Sequence, residues 1–342
     1  MQTNKPTVGI FGSFQNGKST LINCILQDSL AKVGGSGMSV TNVNTRYTYG
    51  PEFVAKAIKD GKVVQEMKNA EKYKHFSVSG HVDEVVLQIK NNALKEYDLL
   101  DTPGLDANEQ DTELALNGMV KCDFAILVLR NKSLSQTEKA LARSLYTKHI
   151  PFVVLINCYN SVGIEDSWLA TSRHNRLIGY DIIADLKSLG ITPFLSKGYP
   201  QILLVNLIWK WIALDITDED ESVGIKSAKR LLNSLWVEYF GKKTFSLKIL
   251  TANSQFDSVL ILLNDQKYRH QWFLWNEFNN CNTEINKFME SMKAAANIFE
   301  DSFLQELGEI SRQSKEKRKD HKSQERIIPN NPLLDIRNFE LF

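Results

Sequence analysis

The stretch GSFQNGKST, residues 12–20, constrains this 342-residue chain more than any other. It follows the apolar run TVGIF, opens the helical run TLINCIL, and fits the pattern G-x-x-x-x-G-K-[ST]. A strand, a tight glycine turn and a helix in that order are one end of a crossover unit, so the chain begins as an α/β fold. Each residue type in the turn has a chemical task. Gly12 and Gly17 let the backbone turn sharply enough for successive N–H groups to face one anion. Lys18 reaches the outer phosphates of a nucleoside triphosphate, and Ser19 offers a hydroxyl to Mg2+. Ser13, Phe14, Gln15, Asn16 and Thr20 complete the loop and are expected to line the nucleotide. A glycine-rich turn without a ligand reads the same in isolation; the strand before it and the helix after it favour the phosphate reading.

A second element, YDLLDTPGLD at 97–106, is an apolar strand ending in Asp101, Thr102, Pro103 and Gly104. An aspartate at the carboxyl end of a strand beside a phosphate loop can hold Mg2+ through water. A glycine after it can offer its N–H to a γ-phosphate. Alone DTPG is a turn; with the phosphate loop it separates a nucleotide switch from a generic kinase-like NTPase.

From residue 7 to about 208, short apolar strands alternate with helical stretches, among them TNVNTRYTYG, EVVLQIK, DFAILVL, PFVVLIN and ILLVNLIW. Two hairpins are expected: VAKAI with VVQEM around residues 59–62, and EVVLQIK with the YDLL strand. The sheet is therefore mixed. After about residue 220 the pattern turns helical, with no proline between Pro200 and Pro329. Ile285, Met289, Met292, Ala296, Phe299, Phe303 and Ile310 form one apolar stripe, with a partner stripe expected in 256–278 and a polar turn at 279–283. The spacing predicts a nucleotide-binding domain over 1–220, a helical hairpin domain over 221–326 and a tail over 327–342.

The net charge of +1 provides no field to hold nucleic acid, and none is expected as a partner. Local charge is another matter: residues 311–326 carry seven Lys/Arg against three Asp/Glu. That run is either a solvated helix end or a contact for anionic membrane or an acidic partner. Cys24, Cys122, Cys158 and Cys281 show no paired spacing, and no leader or spanning segment is read. A cytoplasmic protein is expected, with peripheral membrane contact as the second reading of the basic run.

Together, GSFQNGKSTLIN, VTNVNTRYTYG, DTPGLD and CDFAILVLRNKSLSQTEKALARSL resemble translation-factor-class P-loop GTPases, and most of all their bacterial dynamin-like branch, over roughly residues 6–210. The resemblance implies a G domain with a mixed sheet and flanking helices that binds GTP and GDP with Mg2+ and hydrolyses GTP slowly. It implies Ser19 and Thr41 as metal ligands, Asp101 as their support through water, and Lys18, Gln15, Thr41 and Gly104 as the catalytic set. It also implies a homodimer across the G domain or a dynamin-like hetero-partner.

The sequence departs from that pattern at several points. Leu105 follows DTPG where Ras-like switches carry a water-positioning glutamine. Gln15 stands where relatives use Ser or Asn to serve a monovalent cation or the β–γ bridging oxygen; its amide is expected to do similar work or simply to fill the loop. Guanine is read in this family by N/T-K-x-D, and FVVLINCYN offers Asn157 at the first position, Cys158 for the lysine and Asn160 for the aspartate. An amide presents one acceptor and one donor where a carboxylate accepts twice, which relaxes guanine specificity. Asn206 in ILLVNLIW either flanks the base or ends a strand. The first strand starts at Thr7 and the helical part is short, which argues against a long membrane-remodelling stalk. The reading is a GTP-hydrolysing switch relaying its state through the helical part; the alternatives are a nucleotide-stabilised scaffold that hardly turns over, and ATP-type chemistry.

Overall fold

The computed structural model describes residues 5–31, 43–73, 82–104, 109–158, 170, 172–193, 201–214, 247–269 and 271. Nine strands form one mixed sheet in the order β4-β3-β5-β2-β6-β1-β7-β8-β9. Its central part is parallel: β6 (Asp98–Asp101), β1 (Thr7–Phe11), β7 (Phe124–Arg130), β8 (Phe152–Asn157) and β9 (Ile202–Val205). These strands are near-continuous apolar runs because helices cover both faces, and β1 and β8 are buried at every position. Their carboxyl ends align at one edge. Ile10 lies opposite Asp101, Arg130 opposite Asn157, and Asn157 opposite Val205. In an open sheet this edge is where a ligand binds.

The helices are α1 (Lys18–Leu26), α2 (Ala70–Tyr73), α3 (Glu109–Met119), α4 (Gln136–Thr147), α5 (Arg173–Ser188), α6 (Leu207–Ala213), α7 (Leu247–Ser254) and α8 (Asp257–Asn264). One core joins Phe11, Leu127, Leu141, Val154, Ile182 and Leu186, contributed by β1, β7, β8, α4 and α5.

The other half of the sheet combines β2 (Thr45–Tyr49), β3 (Val54–Lys59), β4 (Lys62–Met67) and β5 (Glu84–Ile89). The β3–β4 hairpin forms as expected, and Asp60 (φ 49°) and Gly61 (φ 71°) take the left-handed conformations its two-residue turn requires. The second expected hairpin does not form. β2 lies between β5 and β6, parallel to β5 and antiparallel to β6. The link between them is no tight turn: Asn91 caps a 3-10 turn over Asn92–Lys95, accepting from Ala93 N while its Nδ2 donates to Leu26 O at 2.7 Å, and Leu94 is buried beneath it.

Beyond residue 220, α7 and α8 are held against the sheet domain. The Asn206 N–H donates to Ser254 O at 2.9 Å, Arg269 pairs with Glu96 at 2.8 Å, and the Tyr268 ring meets the Phe124 ring edge-on. Residues 1–273 accordingly form one compact unit. The apolar stripe of 285–310, the turn at 279–283, the basic run and the tail lie outside the described residues. Among the described residues no helix is long and apolar enough to cross a membrane.

Candidate functional site

The phosphate loop sits where β1 leaves the sheet, and its glycines are there for space. Gly12 has φ 152°, and a Cβ on it would run into the carbonyl oxygen of Val128 on β7. Gly17 has φ 100°, and a Cβ would lie 2.7 Å from Asn157 Nδ2. Between them Asn16 is buried and anchors the loop from behind, its Nδ2 donating to Val128 O at 3.0 Å and to Glu138 Oε1 at 2.8 Å. Glu138 is itself fixed, since its other oxygen accepts from Ser135 N in the capping box that starts α4. The loop is thus braced by a helix start as well as by two strands.

Inside the cradle the Lys18 ammonium donates to Gly12 O and Ser13 O, each at 3.1 Å. The Ser19 hydroxyl donates to Asp101 Oδ2 at 3.1 Å. Asp101 Oδ1 and Ser13 Oγ are buried without a hydrogen-bond partner. A buried orphan carboxylate oxygen beside a hydroxyl fits Mg2+, which commonly takes one or two protein oxygens and completes its shell with phosphate and water. The DTPG turn closes over the cradle. Thr102 Oγ1 donates to Ile10 O at 2.8 Å, and a Cβ on Gly104 would lie 2.8 Å from Phe14 Cα and 3.2 Å from the Lys18 ammonium. Thr20, on α1, is buried. Thr41, Leu105 and Asn160 lie outside the described residues.

Burial lifts the Asp101 carboxyl from 3.8 to about 6, against the opposing pull of Lys18, the Ser19 hydroxyl and the Thr102 N–H. Its folded value lies above its unfolded one, so in metal-free protein its contribution to stability is full below about 3.8 and is lost as pH rises through about 6. Mg2+ needs the ionised form, so metal affinity should rise through the same window. Melting in chelator at several pH values checks this: wild type should lose stability relative to Asp101→Asn as pH rises from about 4 to about 6, by about 1–3 kcal/mol, and level off above that.

At the carboxyl ends of β8 and β9 two asparagines join neighbouring segments. Asn157 Nδ2 donates to Asn16 O at 3.2 Å, and its Oδ1 accepts from Leu207 N at 3.3 Å, so the side chain ties the phosphate loop to the start of α6. Asn206 caps α6, accepting from Trp209 N at 3.0 Å, and its Nδ2 donates to Cys158 O at 3.2 Å. Cys158, in the lysine position, turns its side chain into the core, where burial pushes the thiol far above its usual range.

Three contributors were not foreseen. Glu138 was legible as the fourth residue of S-x-x-E ahead of α4. Arg130, the last residue of β7, donates from Nη2 to Gln15 O at 3.0 Å and to Gln15 Oε1 at 3.3 Å, and from Nε to Gln15 O at 3.3 Å. Asn44, buried just ahead of β2, donates to Leu114 O of α3 at 2.9 Å, and no sequence signal marks it.

A phosphate loop after β1, a DTPG turn after β6 and base-side loops after β8 and β9 make this sheet the G domain of a P-loop GTPase fold. The model of the dynamin family matches residues 8–158. Two chains of an oligomerised bacterial dynamin pair, described as providing a mechanism for the long-range sensing and tethering of membranes, are similar at 17% identity, with TM-scores of 0.46 and 0.40. The matches cover 93% and 88% of this chain and 48% and 44% of those chains. A bacterial selenocysteine-specific elongation factor, EF-Sec, is similar at 13% identity and TM-score 0.32, covering 68% of this chain and 29% of that one. The chain therefore spans about half the length, or less, of these structures. No curated protein matches the sequence.

Proposed function

We propose that the protein is a Mg2+-dependent switch that binds GTP and hydrolyses it slowly. The observation that carries this reading is the part-buried Ser19–Asp101 pair, with a buried orphan carboxylate oxygen, set beside Lys18 in a glycine cradle. On nucleotide binding, the Lys18 ammonium would exchange its two loop carbonyls for phosphate oxygens, and the loop N–H groups would face the β-phosphate. Ser19 and Thr41, with Asp101 behind them, would hold Mg2+, which supplies charge neutralisation at the outer phosphates. Gly104 N–H would sense the γ-phosphate, and its loss would release the segments around Thr41 and Gly104.

The state of the site has a route outward. Asn44, just ahead of β2, links that strand to α3. On the base side Asn157 and Asn206 connect the phosphate loop to α6, and the Asn206 N–H meets Ser254 of α7. The proposed division into 1–220, 221–326 and 327–342 places α7 and α8 at the junction, where they would pass nucleotide state to the remaining helical part. The proposed partners are a second copy across the G domain, a dynamin-like hetero-partner, and anionic membrane touched peripherally from the cytoplasm.

Single-turnover hydrolysis of GTP by the full chain, with and without Mg2+, tests the reading. Leu105 in the water-positioning place supports a second one, a nucleotide-stabilised scaffold, for which tight binding without measurable turnover is the expected result. The membrane contact is tested by flotation with acidic liposomes. Binding should fall steeply with salt, since the attraction is screened over about 10 Å at 0.1 M, and deleting 311–342 should abolish it.

A further inference from the structure

We infer that Arg130 belongs to the nucleotide site, where its guanidinium directs the Gln15 amide to donate to a terminal phosphate oxygen instead of holding a monovalent cation. The inference rests on the proposed binding of GTP. Arg130 ends β7 at the same sheet edge from which the phosphate loop springs, and three of its hydrogen bonds go to Gln15. Two oxygens of one residue, the backbone carbonyl and the side-chain amide oxygen, converge on one cation. A guanidinium has donors and no acceptor, so the amide must turn its oxygen toward Arg130. The other end of that amide, with its two N–H donors, is then the end offered to the ligand.

The backbone agrees with this arrangement. Gln15 has φ 62°, a left-handed conformation that a residue with a side chain adopts only at a cost. Arg130 holds the Gln15 carbonyl in the direction this conformation requires. An alkali cation would need the same two oxygens and would stand against a fixed positive charge. The charge such an ion would bring is already built into the chain. A lysine at 130 is a point charge without the planar fork and cannot reproduce both contacts at once.

The test titrates the full chain with GDP and with a slowly hydrolysed GTP analogue, in potassium, sodium and tetramethylammonium chloride, for wild type, Arg130→Ala, Arg130→Lys and Gln15→Ala. Arg130 is not part of the core, and melting curves establish that the variants fold. Wild type should bind the analogue equally in all three salts, within about twofold. Arg130→Ala and Gln15→Ala should each weaken the analogue about tenfold and GDP much less, with Arg130→Lys close to Arg130→Ala. Potassium should partly restore Arg130→Ala, because its two oxygens are then open. Equal analogue binding by wild type and Arg130→Ala overturns the inference alone, as does a strong potassium requirement in wild type. Failure of wild type to bind any guanine nucleotide overturns the proposed function and this inference together.

Discussion

Replacing Lys18 with alanine should lower affinity for a nucleoside triphosphate by about a hundredfold or more. Lys18 is 7% exposed and its ammonium rests on the carbonyl oxygens of Gly12 and Ser13, so it is already drawn into the cradle before any ligand arrives. Phosphate oxygens are charged acceptors and replace those carbonyls with stronger partners, and that gain is what the variant forfeits. The loss extends to the metal. Lys18 is the charge that holds the Asp101 carboxyl down against burial, so without it the carboxyl should titrate still higher and hold Mg2+ less well near neutrality. Alanine suits the first turn of α1, so the fold should survive, and circular dichroism with calorimetric titration separates the two effects. Unchanged binding would remove the basis for a nucleotide function.

The second large effect concerns the base. Asn157 is committed to Asn16 and Leu207, and the Cys158 side chain is in the core, which leaves Asn160 as the proposed reader of the N1–C2 edge. An amide there presents one acceptor and one donor. Guanine offers two donors at that edge, whereas xanthine offers one donor and a carbonyl, which complements the amide. Weak discrimination among GTP, XTP and ITP is the expected result, with XTP favoured relative to its standing in an aspartate-bearing site. Asn160→Asp should move preference toward GTP by one satisfied hydrogen bond, about 1–3 kcal/mol or roughly ten- to hundredfold. Competition titrations with GTP, XTP, ITP and ATP decide it. Strong selection of GTP over XTP by the wild type would mean that Asn160 does not read that edge.

What was legible in the sequence was local. The run from Thr7 to Leu26 declares strand, turn and helix through apolar residues, glycines and a lysine that are neighbours in the chain, and the Asp60–Gly61 turn declares its own hairpin. The pairing of β5 was misread because proximity in sequence suggested β6, while the strands it lies between, β3 and β2, both come earlier in the chain and are chosen by the sheet as a whole. The stripe beginning at 256 was read as one wall of a hairpin. Its first turns, with Val259, Leu262 and Leu263 buried, are part of the unit that carries the sheet, and the other wall lies outside the described residues. Asn157 and Asn206 were recognised as positions but not as braces. An amide that reads a base and one that cross-links two loops are the same letters, and the difference lies in which backbone groups stand nearby.

The Asn16 side chain gives the phosphate loop a property that the switch segments need not share. It is held by Val128 and by Glu138, whose carboxylate is in turn fixed by the first turn of α4, while Asn157 grips the Asn16 carbonyl from the other side. The cradle is thus assembled during folding, when its conformational entropy is lost along with that of the core. A nucleotide then meets preorganised donors and spends little of its binding free energy on ordering them. Calorimetry should therefore register a small heat-capacity change for the phosphate end of the ligand, of the kind expected for rigid docking, and any large one would report ordering elsewhere in the chain.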